Sequence, residues 1–205
     1  MEIPAEVSKN LINVHGDLGQ KWLNDLPRVI QHYEEKWQLT VGACFSEACF
    51  NFVARAVLAN GQNVVVKCGI PDKGFDDEMT ALEHFKGHGA VQLLNADRDV
   101  GIMLLEQLTP GVLLEAHANL EDATALAVNV MQKIHQPFSG TSSFATLHDW
   151  FLGFEQLSQQ FSNQTHPFPK GLVDRATQIS HDLLTSMGEA VLLHGDLHYA
   201  NIILS

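Results

Sequence analysis

Along residues 18–37 the apolar side chains Trp22, Leu26, Val29, Ile30, Tyr33 and Trp37 recur mostly at intervals of three and four. That repeat places them on one face of an α-helix. Pro27 interrupts the stripe. Proline has no backbone N–H and suits a first helical turn better than an interior, so a second helix is expected to start there. The pattern then turns β-like, and residues 38–45 and 49–58 read as strands, the latter through Phe50, Phe52, Val53, Ala56, Val57 and Leu58. Asn60-Gly61 follows, a hairpin signal because both residues tolerate positive φ. Residues 62–68 form the next strand, with Val64-Val65-Val66 running into Lys67. A turn over 69–74, a helix over about 75–87 closed by Gly87 or Gly89, and short strands at 91–95 and 100–105 complete the first half.

The second half reads as helical. Asn119 is placed to cap a helix with Leu120, Ala123, Ala127, Val130 and Ile134 on one face, and Glu121 and Asp122 suit its first turn. Further helices are expected over 147–161, with Trp150 and Phe151 in a core, and over 171–187, with Val173, Ala176, Ile179, Leu183 and Met187 inward. A loop over 163–171 separates them. Val191-Leu192-Leu193 reads as a short buried strand with Asn201 to Leu204 as its hairpin partner. Strands first and helices afterwards predict an α+β chain of two lobes. Residues 1–108 would form the N-terminal lobe, an antiparallel sheet plus helix, and residues 109–205 a mainly helical C-terminal lobe.

Composition narrows the function classes. The 205 residues hold 12 Lys and Arg against 24 Asp and Glu, a formal charge of −12. Nucleic acid or an anionic membrane needs a basic face, so neither is expected as the main partner. A cationic partner is compatible. Apolar residues at 45% describe a globular chain with a core. No apolar run approaches the roughly 20 residues that span a bilayer, and the first residues lack the basic-then-apolar pattern of a signal peptide. Three cysteines, Cys44, Cys49 and Cys68, without a CxxC pair, fit a reduced, cytoplasmic protein in which they are small buried residues.

The stretch His194-Gly195-Asp196-Leu197-His198-Tyr199-Ala200-Asn201 carries the chemistry. An apolar segment enters it and another leaves it. Asp196 precedes Asn201 by five residues, the spacing of the kinase catalytic loop H-R-D-x-x-x-x-N, with Gly195 in place of arginine. There a carboxylate orients or deprotonates an attacking hydroxyl, and a short loop returns an amide oxygen to a magnesium ion beside the phosphate. His15-Gly16-Asp17-Leu18 repeats the first four letters, but no apolar strand precedes it and the later His and Asn are missing. Asp17 therefore reads as a helix cap. His194 and His198, four apart in a loop, do not converge as metal ligands without a helix, so His194 is read as hydrogen-bonding the loop backbone.

The string HGDLHxxN resembles the aminoglycoside phosphotransferase family and related small-molecule kinases. Trp22-Leu23-Asn24-Asp25-Leu26-Pro27, the helix ending Glu35-Lys36-Trp37, and Val65-Val66-Lys67-Cys68-Gly69-Ile70-Pro71 resemble its streptomycin 6-kinase and hydroxyurea-kinase branch. The resemblance implies a protein-kinase-like fold and transfer of phosphate from ATP, with Mg2+, to a hydroxyl of a small molecule such as an aminoglycoside. It implies Asp196 as the catalytic residue and Asn201 as the metal ligand. Lys67 would bind phosphate, Ser46 would lie on the nucleotide-covering loop, and backbone groups from Glu106 to Leu108 would meet adenine. Two glutamates could pair with Lys67. At about 100° per residue Glu78 lies near Leu82 and Phe85 on the apolar face, whereas Glu83 points away, so Glu78 is chosen.

Two departures accompany the resemblance. The stretch Gly42-Ala43-Cys44-Phe45-Ser46-Glu47-Ala48-Cys49 has a single glycine where kinases often carry several. The second metal-binding aspartate of such kinases follows the strand after the motif asparagine, and this chain ends at Ser205. The expectation is therefore a shortened C-terminal lobe, whose uncovered apolar helix faces favour self-association. A catalytically incomplete nucleotide-binding or interaction protein, and a kinase for another metabolite such as choline or fructosamine, are the alternatives.

Overall fold

The computed structural model describes residues 3–46, 48–138, 144–160 and 169–205. Two compact units divide the chain, one made of residues 1–136 with 192–205 and the other of residues 137–191.

In the first unit, α1 (Ala5–His15) and α2 (Asp17–Trp37) precede a sheet of β1 (Leu39–Cys44), β2 (Phe52–Leu58), β3 (Asn63–Cys68), β4 (Leu93–Asp97) and β5 (Ile102–Glu106). The order is β1-β2-β3-β5-β4, with every neighbour antiparallel. Helix α3 (Lys73–Phe85) lies between β3 and β4 in sequence. Alternation along the strands gives the sheet two apolar faces. Val64, Val66 and Cys68 of β3 and Ile102 and Leu104 of β5 pack with Leu26, Ile30 and Tyr33 of α2. Val65 of β3 and Met103 and Leu105 of β5 pack with Phe75, Met79 and Leu82 of α3.

Helix α2 runs unbroken through Pro27, contrary to the expected restart. Pro27 itself is exposed, and buried Leu23, Leu26, Ile30 and Tyr33 hold the helix on both sides of it. Asp17 is not a cap either; it sits in the first helical turn, and Gly16 is the cap residue. Helix α1 escaped the pattern because it buries only Val7 and Leu11. It crosses α2 so closely that a Cβ on Gly19 would lie 2.3 Å from the Leu11 carbonyl oxygen. Helix α3 begins earlier than expected because Asp72 caps it, accepting from Phe75 N at 2.9 Å. Lys86, in the left-handed region at φ 49°, ends it before either glycine.

After β5 the same unit holds β6 (Val112–Leu113), α4 (Leu120–Ile134) and β7 (Ile203–Leu204). Asn119 caps α4 as expected, accepting from Glu121 N and Asp122 N. Residues 201–204 do not pair with Val191–Leu193. Ile203 and Leu204 pair with Leu113 and Val112, and Leu114 N donates to Ile202 O at 2.8 Å. The intervening loop turns through Tyr199–Asn201 and delivers this segment to β6 rather than back to residues 191–193.

The second unit contains α5 (Leu147–Gln160) and α6 (Lys170–Ser186). The loop expected over 163–171 falls largely outside the described residues. The inward face of α6 is rotated from expectation: Val173 and Ser180 are buried, whereas Ile179, Leu183 and Met187 are exposed. Ser180 tolerates this because its hydroxyl donates to Ala176 O at 2.8 Å. Trp150 is also exposed, at 73%. Helix α5 carries apolar residues on more faces than one partner helix can cover. Among the cysteines, Cys68 is buried, Cys44 partly so, and Cys49 is exposed on the β1–β2 loop. Among the described residues no helix is long and apolar enough to cross a membrane.

Candidate functional site

Strand alternation turns Val64, Val66 and Cys68 toward α2, which sends Lys67 to the opposite face, where α3 lies. Its ammonium donates to both carboxylate oxygens of Glu78, at 2.5 and 2.7 Å. The lysine side chain is 18% exposed and the glutamate 37%, so the pair is half out of water. Partial desolvation strengthens the attraction and makes loss of either partner costly. Glu83 points elsewhere, to Arg98 at 2.7 Å.

The loop from His194 to Asn201 is built by short-range hydrogen bonds. Gly195 takes φ +82°, a conformation that suits glycine at this tight turn. Asp196 N donates to Nδ1 of His194 at 3.3 Å, and Ala200 N donates to Nδ1 of His198 at 3.3 Å. Nδ2 of Asn201 donates to the Asp196 backbone oxygen at 2.9 Å and to its carboxylate at 3.2 Å. Helix α4 supports the loop from below. Leu114, Ala123 and Ile202 form a small core, flanked by Leu197, Tyr199 and Leu204, and Thr124 shares a 2.8 Å hydrogen bond with the Tyr199 hydroxyl.

Electrostatics join loop and sheet. His194 keeps surface exposure, yet its imidazole is held below the ordinary histidine range. Desolvation is the main cause; the carboxylates of Asp196 and Glu78 oppose it, and His198 and Lys67 reinforce it. His194 thus senses both the Lys67–Glu78 pair and Asp196, and its neutral form is the one whose Nδ1 can accept from Asp196 N.

The remaining expected residues lie apart from this group. Ser46 is exposed in the turn after β1 and makes no hydrogen bond or ion pair with Lys67, Glu78, Asp196 or Asn201. Glu106 ends β5; its carboxylate accepts from Gln92 N at 2.7 Å and its N–H donates to Gln92 O at 3.0 Å. Leu108, half-buried, follows in the connection to β6. With Nδ2 committed to Asp196, Asn201 keeps Oδ1 as an acceptor beside the Asp196 carboxylate. The Asn201 Oδ1 is a hard oxygen donor that fits a magnesium ion, which takes few protein ligands and completes its shell with phosphate and water. Among the described residues no three His, Cys, Asp or Glu side chains gather into a larger metal cluster. A separate cleft of about 590 Å³ in the second unit, lined by His148, Phe151, Glu155, Asp174 and His181, contains none of these residues.

Sequence reasoning did not find Arg98, whose guanidinium meets Asp76, Thr80 and Glu83. Nor did it find the hydrogen bonds from the Tyr33 hydroxyl and Lys36 ammonium to Asp97, at 2.5 and 3.0 Å. The only sequence signal for either was a charged turn, Asp97-Arg98-Asp99, between two apolar strands.

A five-stranded antiparallel sheet with a lysine–glutamate pair to its helix, followed by an Asp-x-x-x-x-Asn loop, defines a kinase-like protein. The choline kinase LicA from Streptococcus pneumoniae shares this fold at TM-score 0.56 and 18% identity, over 89% of this chain and 65% of the other. Residues 36–205 match the family described as aminoglycoside/hydroxyurea antibiotic resistance kinase, and the chain belongs to that family. A streptomycin 6-kinase from Streptomyces glaucescens is 26% identical over 99% of this chain. A hydroxyurea phosphotransferase from Kitasatospora aureofaciens is 32% identical over 54% of it. The chain spans 66% and 33% of the lengths of these two relatives.

Proposed function

We propose that this protein transfers the γ-phosphate of ATP to a hydroxyl of a small molecule, an aminoglycoside such as streptomycin. The observation that carries the reading is the Lys67–Glu78 pair in the same unit as a loop in which Asn201 is hydrogen-bonded to Asp196. In this reading Glu78 holds the Lys67 ammonium in place against the α- and β-phosphates. Backbone groups from Glu106 to Leu108 receive the adenine, and Ser46 lies on the loop over the phosphates. Asp196 orients the acceptor hydroxyl and takes its proton as the oxygen attacks phosphorus and the bond to the bridging oxygen of ADP breaks. Asn201, fixed by its bonds to Asp196, offers Oδ1 to magnesium. When bound, the ion neutralises charge on the phosphates. Positioning and electrostatic stabilisation then supply the catalysis.

The family membership and the streptomycin 6-kinase likeness support the acceptor class. A chain with 24 acids against 12 bases also suits a polycationic sugar. The test is incubation of the protein with γ-labelled ATP and, separately, streptomycin, hydroxyurea and choline. Label on streptomycin is expected. Label on choline alone reassigns the acceptor, and label on none of them contradicts the reading.

A further inference from the structure

Two cations grip α3 at two positions around its axis. At about 100° per residue, the buried Phe75, Met79, Leu82 and Phe85 define the apolar stripe, Glu78 lies within it between Leu82 and Phe85, and Asp76, Thr80 and Glu83 lie together on one flank. Lys67 holds the helix at Glu78. Arg98, in the β4–β5 turn, holds the flank: Nη1 donates to the Asp76 carboxylate, to the Asp76 backbone oxygen at 3.1 Å and to Thr80 at 3.2 Å, and Nη2 donates to Glu83 at 2.7 Å. An apolar stripe alone fixes a helix poorly against rolling, because the hydrophobic effect is non-directional. Hydrogen-bonded charges at two positions around the axis fix it.

The turn that carries Arg98 is itself anchored. Asp97 accepts from Tyr33 and Lys36 of α2, and Gly101 O accepts from Gly69 N at 3.0 Å, just beyond the end of β3. Arg98 therefore refers the roll of α3 to the same strand that bears Lys67.

We propose that Arg98 is a positioning residue for phosphate transfer, which sets the roll of α3 and so keeps Glu78 on Lys67. The inference rests on the reading of Lys67 as a phosphate ligand for its kinetic consequence, but its geometric part stands without catalysis.

The test compares Arg98→Ala, Glu83→Gln, Arg98→Lys and Lys73→Ala. Lys73 is the control, since it pairs with Asp77 on the same helix at 2.6 Å without leaving it. Two readouts are used: acylation of individual lysines by a water-soluble reagent, resolved by mass spectrometry, and the KM values for ATP and for the acceptor. Arg98→Ala is expected to raise Lys67 acylation about fivefold relative to Lys133, and KM for ATP by a similar factor, with the acceptor KM changed less than about twofold. Glu83→Gln, which leaves Arg98 its other contacts, moves both readouts the same way by less. Arg98→Lys restores part of the effect, and Lys73→Ala changes neither. Lys67 acylation unchanged in Arg98→Ala, or raised equally at every lysine, overturns the proposal. Wild-type protein that transfers no phosphate removes the functional reading alone, while the acylation result still decides the role of Arg98.

Discussion

Lys67 and Glu78, eleven residues apart, meet through both carboxylate oxygens, at 2.5 and 2.7 Å. Strand alternation and helix periodicity bring them together, and neither side chain is fully solvated. Glu78→Gln keeps the shape and removes the charge, leaving the ammonium short of its counter-ion. The expected loss of stability is about 1–2 kcal/mol, between an exposed and a fully buried pair. Phosphate transfer is expected to fall about a hundredfold. Urea unfolding and kcat/KM for ATP measure the two effects.

His194 reports on the same arrangement without catalysis. Its pKa lies below the ordinary histidine value, while Glu78 and Asp196 pull it up and Lys67 pushes it down. In NMR titrations Asp196→Asn and Glu78→Gln are each expected to lower it further, and Lys67→Met to raise it. Absence of any response to the Glu78 and Lys67 changes would separate the loop from the sheet-side pair.

Asp97 makes stability depend on acid. The Tyr33 hydroxyl and the Lys36 ammonium hold its carboxyl below the usual carboxylate range. A depressed folded value means the contribution is present above the unfolded value of about 4 and is lost as pH falls through the folded value. Tyr33→Phe is expected to cost about 1–2 kcal/mol at neutral pH and less in acid. Urea midpoints measured from neutral to strongly acid pH test this, and an equal cost throughout would contradict it.

The pairing of Lys67 with Glu78 was legible because both periodicities are local and Glu78 falls beside apolar neighbours. The antiparallel sheet was legible from Asn60-Gly61 and the valine run. The partner of residues 203–204 was not, because pairing with 112–113 closes a separation of some ninety residues that no local pattern encodes. Pro27 misled because the rule against interior proline ignores the burial of Leu23, Leu26 and Ile30 around it. On α6, Ser180 lies about 20° around the helix from Val173 and Ile179 about 100° further on, so following the apolar residues led away from the serine that is buried. Arg98 was invisible because its partners lie 15 to 22 residues earlier and are reached only through the folded turn.

Gly101 holds that turn against the end of β3. It adopts φ +74°, and a Cβ there would sit 2.4 Å from the Gly69 carbonyl oxygen. Gly101→Ala adds backbone strain to a collision with backbone, and about 2–3 kcal/mol of destabilisation is expected. Thermal or urea unfolding checks it, and a stability equal to that of wild type would show that the two turns need not lie so close.

The central claim is that Asp196 serves the attacking hydroxyl and not the nucleotide. Asp196 is exposed and fixed by Asn201, so Asp196→Asn preserves shape while removing the proton acceptor. The measurement is transfer of labelled phosphate from ATP to streptomycin, with ATP affinity determined in parallel by calorimetry. A fall in turnover of about a thousandfold or more is expected, with ATP affinity within about threefold of wild type. Turnover at the wild-type rate in Asp196→Asn would contradict it.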